Sequence, residues 1–122
     1  IDGDGHFIYD HNAYSTHTVV RSPEPLPAGA MVLEVHQERV RRGPARARLL
    51  INGEQVAQAI IPLVPVMVSS IGMDIGRNPT GVGGSYEAPF AGRLCRVEVA
   101  TTRAFRHDEE AAMELAAAAE MQ

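Results

Sequence analysis

Apolar and polar residues alternate with a period of two along most of this chain, which is the spacing of half-buried strands. His6–Asp10 reads as a short apolar strand with aromatics, and Tyr14–Arg21 is rich in Thr and Val, residues that fit a pleated surface. Ser22–Gly29 holds three prolines and reads as a loop, because proline has no N–H for a ladder. In Met31–Gln37, Met31, Leu33 and Val35 alternate with Val32, Glu34 and His36, the pattern of a half-buried strand. Glu38–Pro44 is charged and punctuated by Gly and Pro, so a surface loop is expected there. Ala45–Ile51 and Glu54–Ile61 flank Asn52-Gly53, a pair that supplies the positive φ angles of a type I′ hairpin turn. That turn sets Ile51 opposite Glu54 and Leu49 opposite Val56. Pro62 and Pro65 end the second strand. Val66–Ser70 and Met73–Ile75 are short apolar runs, and Asn78–Pro89 is a long loop with three glycines. Gly92–Thr101 closes the β portion, with Cys95, Val97 and Val99 facing one way and Arg96 and Glu98 the other.

The period changes at the tail. From Asp108 the chain is dominated by Ala and Glu, both strong helix formers, with acids at the positive end of the dipole and Asp108 as an N-cap. Met113, Ala117 and Met121 share one face of this expected helix, which docks on the sandwich or reaches a partner. The fold class is therefore all-β, an antiparallel β-sandwich with one C-terminal α-helix. Residues 1–105 are expected to form the β-sandwich domain and 106–122 the helical tail. The length of 122 residues suits one domain with one core.

Composition narrows the function classes. The net charge of −4 argues against a general nucleic-acid role. All eleven basic residues are arginines, which points to a GC-rich coding sequence rather than to a chemical need. Cys95 is the single cysteine, so no internal disulfide forms, and no apolar run reaches the roughly 18 residues of a membrane span. Together with the polar start Ile-Asp-Gly-Asp-Gly, this gives the expectation of a cytoplasmic protein. The missing initiator Met suggests a chain cut from something longer.

Three segments in order carry a family resemblance. They are Gly5–Asn12 with Glu24–Gly29; Ala47–Ala57; and Gly72–Arg77 with Ser85–Leu94. In this order and spacing they resemble the C-terminal β-sandwich of large bacterial arylsulfatases. The resemblance covers roughly Gly5 to Ala100 and implies a lectin-like, concanavalin-type jelly roll. In that family the domain follows an alkaline-phosphatase-like catalytic domain, which has no counterpart here, and one or two further strands usually precede the first segment. Without them a sheet edge stays open, and open edges seek partners.

The candidate chemistry is sparse. Sulfatases act through a formylglycine made within a Cys/Ser-x-Pro-x-Arg motif, whereas the residues from Cys95 are Cys-Arg-Val-Glu-Val. Cys95 is expected as a buried structural thiol. Asp2-Gly3-Asp4-Gly5 begins like a calcium loop, but the EF-hand pattern fails and a flexible terminal turn is expected. His6, His11 and His17 could approach one another across a hairpin, yet their spacing specifies no metal site, and we expect no cofactor and no metal. Arg39, Arg41, Arg42, Arg46 and Arg48 form a candidate anion patch, for a sulfated glycan or an acidic partner face; a solvated loop and strand face is the plainer account. The loop from Asp74 to Phe90 is the best ligand or interface candidate, with Asp74, Arg77, Asn78 and Tyr86 near glycine-permitted turns.

Two functions follow as expectations. The first is a non-catalytic accessory domain that packs on a sulfatase-type catalytic domain or self-associates. The alternative is a carbohydrate-binding, lectin-like module using the Asp74–Phe90 loop; the absence of Trp counts against it, because sugars stack on exposed aromatic faces. No catalytic residue is assigned, so an enzyme acting on its own is not expected. Any longer parent would be a sulfuric ester hydrolase. Neither nucleic acid nor membrane is expected as a partner.

Overall fold

A computed structural model of the chain describes residues 1–39, 44–64, 74–76 and 90–100. The expected helix from Asp108, the domain boundary near residue 105 and the apolar run Val66–Ser70 lie outside them. The chain divides into a unit of Ile1–Gly92 and a unit of Arg93–Gln122. The described part is all-β and antiparallel, with no helix among the described residues.

The first unit holds five strands: β1 (His6–Ala13), β2 (Thr16–Pro25), β3 (Leu33–Arg39), β4 (Ala45–Ile51) and β5 (Glu54–Ile61). β1 and β2 form a two-stranded sheet, and β3, β4 and β5 form a three-stranded meander in that order. The core lies between the two sheets. Phe7 and Val20 come from the first; Ala45, Ala47, Leu49 and Ile61 come from the second. On β4 the alternation is clean: Ala45, Ala47 and Leu49 are buried, and Arg46 is exposed. Two alanines at the centre let the sheets approach closely, since a larger side chain there would hold them apart.

Each sheet contains a register irregularity. In the first it falls between His6 and Ile8, where His6 pairs with Pro25 and Ile8 with Arg21. Proline is tolerated in a strand at such bulges. Buried Ser22 repairs the interrupted ladder: its hydroxyl accepts from the Phe7 amide at 3.0 Å and donates to the Glu24 carbonyl at 2.8 Å. Ser22–Gly29, expected as a loop throughout, therefore begins as strand, with the Ser22 hydroxyl taking up the Phe7 amide and the Glu24 carbonyl at the bulge. In the second sheet the irregularity falls between Leu49 and Leu50, so Leu49 faces Ala57 rather than the expected Val56. Ile51 does face Glu54, as the turn requires.

Asn52 (φ 50°) and Gly53 (φ 81°) both take the left-handed conformation a type I′ turn demands. Asn52 also pins the start of β3, accepting from the Val32 amide at 2.9 Å through its side chain and donating to the Val32 carbonyl at 2.8 Å. The β1–β2 turn is built the same way from Tyr14 (φ 50°) and Ser15 (φ 68°). Tyr14 thus sits in the turn rather than in the strand expected for it.

In the second unit, residues 93–100 form no strand, and all of them are exposed. A strand was expected over Gly92–Thr101. Alternation alone does not make one: ladder bonds need a partner, and none of the described residues pairs with this stretch. Cys95 is correspondingly exposed, not the buried thiol its alternation implied.

Candidate functional site

The outer face of the three-stranded sheet carries the densest charge. The register places Glu38 opposite Arg46 and His36 opposite Arg48. Arg46 donates to Glu38 at 3.1 Å, and Arg48 donates to the other oxygen of the same carboxylate. The bond from Arg46, aided by the charge of Arg48, holds the Glu38 carboxyl below the usual range. His36 Nε2 lies 2.9 Å from Glu34 on the same face. The three described arginines of the candidate anion patch therefore do not share one surface. Arg46 and Arg48 point outward onto Glu38. Arg39, directly opposite buried Ala45, belongs to the inner face and donates to the Val64 carbonyl at 2.6 Å. Arg41 and Arg42 lie outside the described residues.

The first sheet holds a histidine–carboxylate pair. His17 Nδ1 lies 2.8 Å from both oxygens of Asp10. His17 faces Asn12 across the ladder, and His11 faces Thr18, so the two histidines project from opposite sides of the sheet. His6 is buried, with Nδ1 2.8 Å from the Ser22 carbonyl. Register and burial thus set the three histidines apart. No group of three or more His, Cys, Asp or Glu among the described residues could hold a metal ion.

The N-terminal turn is tied into the sheet by hydrogen bonds and an ion pair. Asp2 accepts through Oδ1 from the amides of Asp4 (3.0 Å) and His6 (2.9 Å), and through Oδ2 from Arg21 at 2.7 Å. Arg21 is the main reason the Asp2 carboxyl falls to about 2. Gly5 turns the chain at φ +85° toward β1. The sequence offered Asp-Gly-Asp-Gly as a turn, but the latch to Arg21, nineteen residues on, needed the strand register.

The two sheets also touch through polar groups. The half-buried Tyr9 donates from its hydroxyl to Gln37 Oε1 at 2.6 Å, and burial raises its phenol pKa. Its ring tilts against His11 with centroids 6.5 Å apart. Beside this bridge Val35 is 40% exposed, although Leu49 opposite it on β4 is fully buried. The first sheet thus reaches β3 at Gln37 but leaves Val35 partly open.

Of the Asp74–Phe90 loop, the two ends are described. The Phe90 amide donates to the Gly76 carbonyl at 2.9 Å, which closes the base of the loop. Phe90 is partly exposed and its ring packs on Gly92, where any Cβ would collide with it. Asp74 is exposed at the same base. Arg77, Asn78 and Tyr86 lie outside the described residues.

No helix among the described residues is long and apolar enough to cross a membrane. Comparison of the chain with protein-family models, with characterised proteins and with solved structures finds no match.

Proposed function

We propose that this chain is a non-catalytic accessory domain resembling the C-terminal jelly roll of bacterial arylsulfatases, packing on a sulfatase-type catalytic domain or on a second copy of itself. The observation that carries this reading is how the polar side chains are engaged. Glu38 is matched by Arg46 and Arg48 across β3 and β4, Asp10 by His17 across β1 and β2, and Asp2 of the N-terminal turn by Arg21 of β2. Charges arranged in this way hold strands in register and leave little for turnover. The edges add support: among the described residues β3 and β5 each pair on one side only, and unpaired edges invite association. The finer expectation of a full jelly roll with a docked tail helix belongs to the same proposal. The mass of the purified chain by light scattering on a sizing column tests it, repeated after mixing with a sulfatase-type catalytic domain. A dimer, or a mixed complex, supports the reading. A monomer that ignores the catalytic domain, or one that hydrolyses an aryl sulfate unaided, counts against it.

One observation favours a carbohydrate-binding reading as runner-up. Phe90 is 42% exposed at the base of the loop, where its amide bonds the Gly76 carbonyl, and an exposed aromatic is what a sugar ring packs against. Binding of simple glycosides that Phe90→Ala abolishes would bring this reading forward.

A further inference from the structure

We draw no further inference here: the strongest candidate, the uncovered strip of the inner sheet face beside the Tyr9–Gln37 bridge where Val35 stands exposed, carries nothing because nothing in the structure shows what covers it.

Discussion

Tyr14 is the most strained residue choice in the described chain. It is 69% exposed and takes φ 50° at the tip of the β1–β2 hairpin, with Ser15 beside it at φ 68°. A left-handed conformation costs an ordinary L-residue about 1–2 kcal/mol, because Cβ crowds the following carbonyl. The same geometry in the β4–β5 hairpin is carried by Asn52-Gly53, the pair best suited to it. Replacing Tyr14-Ser15 by Asn-Gly should therefore stabilise the fold by about 1 kcal/mol. A thermal melt followed by circular dichroism should show a midpoint roughly 4–8 °C higher. An unchanged midpoint would mean that the strain is relieved elsewhere. Ser22 offers the opposite case. Ser22→Ala leaves the Phe7 amide and the Glu24 carbonyl without their partner, and losing a buried partner costs about 1–3 kcal/mol. A urea melt should show that loss, and Ser22→Thr, which keeps the hydroxyl, should recover part of it. Asp2 adds a dependence on pH. Its folded pKa of about 2 lies below the ordinary 3.8, so its contribution is complete above 3.8 and disappears as pH falls toward 2. Arg21→Gln removes the main cause. Wild type and variant should differ in midpoint near neutral pH and converge in strong acid; a constant gap across that range would show that Arg21 acts by packing alone.

At the level of elements, the alternation of β4 states its own orientation. Ala45, Ala47 and Leu49 form one face and Arg46 and Arg48 the other, in sequence as in structure. The Asn52-Gly53 turn was legible for the same reason, since both residues are named by the backbone they must adopt. What escaped the sequence was non-local. Nothing in Tyr14-Ser15 announces a turn, because neither residue is suited to the φ it takes. The bulge that moves Leu49 opposite Ala57 depends on pairing along the whole strand, and Ser22's repair of the ladder depends on Phe7, fifteen residues earlier. The three described arginines of the candidate anion patch separate for a related reason. Five nearby arginines look like one surface until strand parity sends Arg39 inward and Glu38 engages Arg46 and Arg48. Parity also identifies the most demanding core position. Ala47 is fully buried on β4, facing Ala59 across the ladder on one side and Gln37 on the other. Ala47→Leu should cost about 1–3 kcal/mol by forcing the sheets apart. Arg46→Leu, one residue away on the outer face, should stay within about 1 kcal/mol, the scale of a surface ion pair. Denaturant midpoints for the two variants test this contrast, and equal losses would contradict the assigned faces.

For the whole molecule, the balance between core and exposed surface sets the expectation. Among the described residues the fully covered apolar side chains are few: Phe7, Val20, Leu49 and Ile61, with Ala13, Ala45 and Ala47. Each large one contributes roughly 1.5–3 kcal/mol on burial, against a conformational cost of about 1–2 kcal/mol for every residue ordered. Meanwhile Val32, Val35 and Ile60 on or beside the three-stranded sheet stay 40–61% exposed. Antiparallel sheets with so little covered apolar surface gain from any surface that covers them. If that surface is a second copy, as proposed, folding is linked to association and the thermal midpoint must depend on protein concentration. Melts recorded across two decades of concentration should then rise by several degrees, with the dimer fraction from light scattering rising in parallel. A midpoint that stays fixed while the chain remains monomeric would remove the second copy as the partner. The catalytic domain would then be the surface to test, and its addition should raise the midpoint of the same chain.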